Sequence, residues 1–168
     1  MKEIKVLDFI AQPVNIWLKK WFLLTAGDRE HYNTMAVAWG SIGGMWNRPF
    51  VQVVVRPTRF TYEFINKYDT FTLCTFPERY RKAVNLLGTR SGRDSDKIKE
   101  SGLTVVPSTK VEAPAFKEAD LILECRKIYW QDMDPKHFLD DKIQRNYPEQ
   151  DYHRIFFGRI LKVLKGDE

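Results

Sequence analysis

The segment Arg56-Pro57-Thr58-Arg59-Phe60-Thr61 contains the residue types that hold a phosphate group. It follows a β-branched run and leads into a helical pattern, so two guanidinium groups and the hydroxyls of Thr58 and Thr61 gather at a helix N-terminus. The free N–H groups and partial positive charge of such a terminus attract anions. Charge-assisted hydrogen bonds there contribute about 1.5–3 kcal/mol each. Alternatively, Thr58 caps the helix and both arginines are solvated, and the segment alone does not decide between the two interpretations.

Residues 40–49 are rich in glycine and are predicted to form a loop beside a tryptophan. The loop follows Trp39, and Asn33 begins the strand that ends there. Backbone amides at Gly40 and Ser41 next to an indole would suit a planar heteroaromatic ligand with donors and acceptors on its edge. A core tryptophan beside glycine bulges gives the same pattern and is commoner, so the loop alone leaves both interpretations open.

Residues 88–97 combine hydroxyl groups, glycines and cations, which is the composition of an anion-binding nest. An exposed charged loop is the alternative interpretation. The segment does not follow the Walker A pattern, and the chain contains no Gly-x-Gly-x-x-Gly fingerprint. A P-loop and a Rossmann dinucleotide site are therefore not expected.

The histidines and cysteines give no metal signal. None of the three histidines pairs with another at the spacing of metal ligands, so a metal site is not expected. His153, at the start of the last predicted strand, is the histidine that we place near a site, although a structural histidine is the commoner interpretation. Cys74 and Cys125 form no CxxC pair, and their apolar surroundings predict reduced, buried thiols.

Length and composition limit the class of protein. The 168 residues include 27 Lys and Arg against 22 Asp and Glu, a net charge of +5, and a hydrophobic share of 43%. These values predict one folded domain over residues 1–168. No apolar run reaches the roughly 20 residues of a membrane span, and Asp8 interrupts the segment that could have been a signal-peptide core. We therefore expect a cytoplasmic protein. Its mild basic charge permits nucleic acid, a membrane surface or a phosphorylated ligand as partner and requires none.

Strands dominate the hydrophobic pattern, and helices lie between some of them. β-branched and alternating segments predict strands over residues 22–26, 34–39, 50–55, 70–76, 119–130 and 152–164. Helical spacing predicts helices that begin at Pro13 and that cover residues 58–67, 78–87 and 95–100. The first two strands are expected to pair as a hairpin, and Gly88 is expected to end the third helix. In the absence of a βαβ rhythm, the pattern indicates a mainly β, antiparallel barrel with short helices at its rim.

Five motifs occur in the same order as in a known family. They are Asn33-Thr34-Met35-Ala36-Val37-Ala38-Trp39-Gly40, Trp46 with Pro49, the segment from Arg56 to Thr61, Ser91-Gly92-Arg93-Asp94-Ser95-Asp96-Lys97, and Asp151-Tyr152-His153-Arg154. Their order and spacing resemble the flavin reductase-like, FMN-binding split-barrel family, on a branch close to flavoredoxin. The resemblance implies a homodimeric, six-stranded antiparallel split barrel with short peripheral helices. It also implies non-covalent FMN near the dimer interface, and redox chemistry with NAD(P)H or a redox protein as partner.

The same resemblance assigns residues to parts of the cofactor. It implies contacts of Asn33 and Trp39 with the isoalloxazine, a phosphate-binding turn, a loop that closes on the cofactor, and a late histidine close to the flavin. The residues of the turn are Arg56, Arg59 and Thr61, and those of the loop are Ser91, Gly92 and Lys97. The late histidine is His153, the candidate catalytic residue. The chain departs from the family at Ala36, where relatives often carry threonine.

Three functions from different classes are carried forward. The principal hypothesis is an FMN-dependent oxidoreductase that transfers hydride from NAD(P)H to FMN. The second is a flavoredoxin-type electron-transfer protein without its own NAD(P)H oxidation. The third is a basic β-barrel that binds single-stranded nucleic acid, against which the mixed signs of the charges in the basic loops argue. We expect neither nucleic acid nor a membrane as partner.

Overall fold

Antiparallel strands make up most of the protein, and short helices lie beside them. The computed structural model describes residues 1–166. Its strands are β1 (Lys2–Ile4), β2 (Phe22–Gly27), β3 (Tyr32–Val37), β4 (Gly40–Met45), β5 (Arg48–Val55), β6 (Thr70–Thr75), β7 (Val105–Val106), β8 (Ala115–Phe116), β9 (Leu121–Asp132) and β10 (Arg154–Lys165).

The helices are short. They are α1 (Pro13–Asn15), which continues as a π-helical turn over Ile16–Lys20, α2 (Phe60–Lys67), α3 (Arg81–Thr89) and α4 (Lys97–Ser101). Single 3₁₀ turns occur at Val6–Asp8, Glu78–Tyr80, Pro135–His137 and Ile143–Asn146. Within the described residues, no helix is both long and apolar enough to cross a membrane.

Eight of the strands in the described part of the chain form one sheet, in the order β3-β2-β6-β9-β10-β5-β4, with β1 paired to the far end of β10. All these pairings are antiparallel. Six consecutive strands from β3 to β5 correspond to the expected barrel, and β4 and β1 extend it. β3 also contacts β5, but no ladder joins these two strands in residues 1–166. The mainly β, antiparallel split barrel with short helices is therefore confirmed, with two strands in the sheet beyond the expected six and a separate two-stranded pair of β7 and β8.

The central strands are buried on both faces, which explains why β2 and β6 contain no charged residue. Every residue of β2 and β6 is buried. On β2, Leu24 packs with Phe71 and Phe156 in the barrel interior. Its neighbour Leu23 faces the other way and packs under α3 with Val84. Two apolar layers therefore fix this part of the sheet, and the predicted hairpin of β2 with β3 forms as expected.

The prediction of a loop over residues 40–49 is wrong. This segment is the hairpin of β4 and β5, and its turn consists of Trp46 and Asn47, with φ of 52° and 55°. Two consecutive residues with positive φ are typical of the hairpin turn that matches the twist of the strands. Because Trp46 and Asn47 make the turn, the glycines lie inside β4.

The prediction that Gly88 ends α3 is also wrong. The helix continues to Thr89, and a Cβ added at Gly88 would lie 2.8 Å from the Cβ of Ala36 on β3. The pair of small residues lets helix and strand approach closely. This contact explains in steric terms why Ala36 stands at a position where the family resemblance leads us to expect threonine.

Both cysteines are free and buried, as predicted. Burial raises the pKa of the Cys74 thiol to about 12, and burial likewise raises the pKa of Cys125 well above its ordinary value. The thiolate is the reactive form of cysteine. Neither side chain is therefore a suitable nucleophile at neutral pH.

Gly40 is required by its neighbours, whereas Gly44 on the same strand is not. A Cβ at Gly40 would lie 2.2 Å from the carbonyl oxygen of Gln52 and 2.6 Å from the Trp17 ring, while a Cβ at Gly44 meets nothing within 4 Å. We expect Gly40→Ala to lower the free energy of unfolding by roughly 1–3 kcal/mol through overpacking. The control Gly44→Ala should stay within about 0.5 kcal/mol of the wild type. Urea denaturation measures both, and equal stability of the two variants would contradict the prediction.

Candidate functional site

Two adjoining depressions lie along the line where β3 faces β5 and α2, each with a volume of about 190 Å³. Met35 and Arg59 line both, so the depressions form one continuous cleft. The first depression is lined by residues that include Asn33, Thr58, Arg59, Thr61, Ser91, Gly92 and Lys97. The second is lined by residues that include Ala36, Trp39, Val54, Arg56, Arg59 and His153. Ten of the twelve predicted site residues are thus brought to one cleft.

Arg59 is the cation of the predicted phosphate turn that faces the cleft without a partner. It is the N-cap residue of α2 and its side chain makes no cap hydrogen bond. It is exposed, and no hydrogen bond or ion pair of its guanidinium occurs in residues 1–166. The first N–H groups of a helix also have no intrahelical partner. The start of α2 therefore presents both a free charge and free donors to the first depression.

Arg56 has a different environment from the one expected. Its Nη1 donates to Oδ1 of Asp151 at 2.6 Å, and its Nη2 donates to the carbonyl oxygen of Asn146 at 2.7 Å. The hydroxyl of Thr58 also donates to Asp151, at 3.4 Å, and caps no helix. The turn does not gather two arginines on one external anion, because a carboxylate from the chain already occupies one of them. The interpretation of Thr58 as the cap of α2 is wrong, because its hydroxyl bonds to Asp151 instead.

A buried hydrogen bond joins β3 to α2 below the first depression. Asn33 Nδ2 donates to Oγ1 of Thr61 at 2.8 Å, and both side chains are buried. The carboxamide oxygen of Asn33 lies 2.4 Å from the position that a Cβ at Gly92 would take. Only glycine allows the loop to approach Asn33 this closely. Position 92 therefore requires glycine for steric reasons, and it also lines the cleft.

Lys97 is a buried cation on the wall of the first depression. Its Nζ donates to the carbonyl oxygens of Leu87 and Arg90, both at 2.9 Å, at the end of α3. Burial and then the positive charge of Arg59 lower the pKa of Lys97 from 10.5 to about 8. The amine is therefore still mostly protonated at neutral pH. An anion in the first depression would meet two cations held by the fold.

The remaining arginines around this depression are neutralised by carboxylates. Arg90 pairs with Glu100, and Arg93 pairs with Glu63 while its guanidinium lies 4.9 Å from the Phe60 ring centroid. These pairs place positive charge beside the cleft without presenting it freely. The anion-binding capacity of the 88–97 segment therefore resides mainly in Lys97.

The second depression has an aromatic wall. Trp39 follows β3, is 43% exposed, and lies with its ring centroid 5.2 Å from that of His153. His153 is only 8% exposed, and its Nδ1 is 2.8 Å from the hydroxyl of Tyr147. Burial, and then the positive charge of Arg56, lower the pKa of His153 from 6.5 to about 4, although Asp151 opposes this shift. The imidazole is therefore neutral at pH 7.

Gly40 and Ser41 are not brought to this cleft. They pair in register with Val53 and Gln52 of β5. The Ser41 hydroxyl donates to Oε1 of Gln52 at 3.0 Å, and Gly40 packs against the Trp17 ring. Both predictions depended on a loop conformation, and strand pairing directs these residues into the sheet instead.

Residues 19–168 match the family model described as "Flavin reductase like domain". The chain belongs to the flavin reductase-like family. The family resemblance inferred from the order of motifs is therefore confirmed. An uncharacterized protein of Pyrococcus abyssi is 31% identical over 148 residues, which cover 88% of this chain and 74% of that protein.

Solved structures of flavin reductase-like proteins have the same fold. Flavoredoxin of Desulfovibrio vulgaris (Miyazaki F) is 26% identical with a TM-score of 0.69, and the match covers 99% of this chain and 78% of that chain. Flavoredoxin from Methanosarcina acetivorans is 23% identical with a TM-score of 0.68, covering 95% and 76%. An FMN-binding protein from Thermus thermophilus is 21% identical with a TM-score of 0.67, covering 94% and 79%.

The sequence did not indicate the roles of Tyr147 and Asp151 beside the cleft, although Asp151 belongs to the last of the five motifs. Tyr147 lies within the polar segment of residues 132–150, and Asp151 directly follows it. Tyr147 is nevertheless buried, and its ring lies 4.9 Å from the guanidinium carbon of Arg56. The signal that was available is a cluster of aromatic residues in and just after that segment, where Phe138 and Tyr152 pack on Tyr147.

The lowered pKa of His153 predicts a loss of stability in acid. The unfolded chain binds the extra proton below about pH 6.5, whereas folded His153 resists it until about pH 4. The free energy of unfolding should therefore fall as the pH decreases through this window, by at most about 1.4 kcal/mol per pH unit. His153→Gln does not titrate and should lack this component. Urea denaturation at about pH 6.5 and about pH 4.5 compares the two proteins, and equal losses would refute the assignment.

Proposed function

We propose that the chain binds FMN in the cleft and catalyses hydride transfer from NAD(P)H to it. The observation that carries this function is the pairing of an unpartnered Arg59 at a helix N-terminus with an adjoining depression walled by Trp39. A phosphate monoester fits the first part, and a flat heteroaromatic ring fits the second. FMN has both groups, and it explains three sequence motifs that were separately ambiguous.

The donors of the first depression suit a phosphate group. Arg59 has free guanidinium N–H groups, and Lys97 Nζ donates to two carbonyls and retains a third proton. Phe60 and Thr61, the first residues of α2, line the same depression. These groups would bind and orient the phosphate, and the buried Asn33–Thr61 hydrogen bond would hold their two supporting elements together.

The second depression suits a ring system. Trp39, Ala38 and Met35 give it apolar surface, and His153 adds one polar group that is uncharged at neutral pH. When bound, FMN supplies the hydride- and electron-accepting chemistry. The contribution of these residues is to orient the ring and to exclude water from one of its sides.

Similarity to flavoredoxin favours a second candidate function. The flavoredoxin of Desulfovibrio vulgaris is 26% identical to this chain and covers nearly all of it. A flavoredoxin-type electron carrier would use the same FMN site but receive electrons from a partner protein. Its cleft would need no room for a nicotinamide.

A homodimer and a cytoplasmic location are part of the proposal. The surface formed by Trp46, Tyr129 and Phe157 supports dimerisation, because these rings cluster with centroids 5.5–6.0 Å apart and Trp46 and Tyr129 are exposed. Nucleic acid remains a poorer candidate partner. The arginines of the 88–97 segment with carboxylate partners, Arg90 and Arg93, offer little free charge to a phosphate backbone.

Arg59→Ala tests the phosphate assignment. Loss of a charge-assisted hydrogen bond should weaken FMN binding roughly 10- to 100-fold. The matched control is Arg126→Ala, which removes an exposed arginine on β9 that lines neither depression. Titration of the flavin-free proteins with FMN, followed by flavin fluorescence, measures both affinities. If Arg59→Ala purifies with a full complement of flavin, the phosphate does not bind here.

Stopped-flow mixing with reduced nicotinamide separates the two redox functions. We expect NADH or NADPH to bleach the flavin band near about 450 nm rapidly, because an oxidoreductase accepts hydride directly. An electron carrier would bleach only slowly with either nucleotide but rapidly with a reduced protein donor. Slow bleaching of a fully loaded protein would therefore reject the first function and favour the second.

A further inference from the structure

Tyr147 is buried although it lies outside the hydrophobic core. It is 2% exposed, whereas every other residue from 134 to 150 is exposed or half-buried. It belongs to neither apolar cluster of the barrel. A tyrosine that is buried in this way generally has a partner for its hydroxyl, and that partner indicates its role.

The Tyr147 hydroxyl has two acceptors within reach and one proton to donate. Its oxygen lies 2.8 Å from His153 Nδ1 and 3.3 Å from the sulfur of Met133. A thioether is a weak acceptor, whereas the unprotonated nitrogen of a neutral imidazole is a strong one. The phenol proton therefore belongs on the hydrogen bond to Nδ1, and the proton of the neutral imidazole belongs on Nε2.

The charges around His153 keep it in this neutral form. Arg56 lies over the ring of Tyr147, and Arg59 lines the same depression, so both oppose a second proton on the imidazole. Asp151 favours the proton, but its carboxylate is already bound to Arg56 at 2.6 Å. Protonated His153 would also turn Nδ1 into a donor, and Tyr147 could then no longer donate to it.

The second ring nitrogen faces the cleft. Nε2 of His153 has no hydrogen-bond partner in residues 1–166, yet it is not among the fully buried polar atoms that lack one. It therefore retains solvent access. His153 lines the second depression together with Trp39 and Arg59, so this access opens toward the proposed position of the ring.

We propose that Tyr147 is a positioning residue, which fixes His153 as the Nε2–H tautomer and so presents a hydrogen-bond donor to an acceptor atom of the flavin ring. The identity of the ligand depends on the proposed function. The tautomer does not, because it follows from contacts within the chain. The donor persists across neutral pH, since the imidazole neither gains a charge nor exchanges its tautomer.

Nitrogen NMR of the full-length, ¹⁵N-labelled protein tests the tautomer. Two-bond ¹H–¹⁵N correlations distinguish Nε2–H from Nδ1–H, and His153→Gln assigns the ring among the three histidines. We expect Nε2–H in the wild type, and a mixture of tautomers with a raised pKa in Tyr147→Phe. The control Tyr152→Phe should match the wild type, because the Tyr152 hydroxyl bonds to Gln144 and not to His153. Nδ1–H in the wild type, or an unchanged tautomer in Tyr147→Phe, overturns the assignment.

FMN titration of the same proteins tests the donor. A lost hydrogen bond should weaken FMN binding about two- to tenfold in Tyr147→Phe, with no change in Tyr152→Phe. Unchanged affinity in a Tyr147→Phe protein whose tautomer has changed rejects the role toward the flavin. If the wild type binds no FMN, the proposed function fails while the tautomer result stands. If Tyr147→Phe does not fold, the wild-type spectrum decides the assignment: Nε2–H supports it, and Nδ1–H overturns it.

Discussion

The cleft depends on the buried carboxamide of Asn33. Its nitrogen binds Thr61 at the start of α2, and its oxygen occupies the space that a side chain at position 92 would need. This side chain therefore joins strand to helix by a hydrogen bond, and the loop packs closely against it at Gly92. A buried polar group of this kind stabilises the structure only when it is fully paired. The same requirement makes the local geometry specific, because small displacements of α2 would leave the amide and hydroxyl unpaired.

The two arginines of the turn before α2 have different electrostatic roles. Arg56 binds Asp151 and fastens the segment that carries Tyr147, whereas Arg59 keeps its charge available to the cleft. Lys97 adds a second available charge, although it also closes the carbonyl end of α3. Arg56 thus stabilises the fold, and Arg59 is left available to a ligand. The net charge of the whole chain does not distinguish these two roles.

The fold could be predicted from the sequence because its central strands have unambiguous patterns. Phe71 and Leu73 alternate with threonines on β6, which is the period of two that is typical of a strand. The hairpin of β4 was not predictable in the same way, because Trp46 is an unusual residue at a turn position with positive φ and the glycines suggested a loop. Most site residues were predictable because they lie in ordered motifs. The role of Asp151 was not predictable, although this residue also lies in a motif, since its pairing with Arg56 joins residues 95 positions apart and depends on how the chain returns to the barrel.

The segment between β9 and β10 is attached to the barrel by few contacts. Residues 134–150 contribute one buried ring, and the ion pair of Arg56 with Asp151 secures their far end. Local opening of a segment costs only the free energy of the contacts it breaks, which is less than the cost of global unfolding. The wall beside His153 therefore needs less free energy to open than the sheet does. Because the side chains of the Arg56–Asp151 pair are only 21% and 16% exposed, salt screens this attachment much less than it screens a surface ion pair.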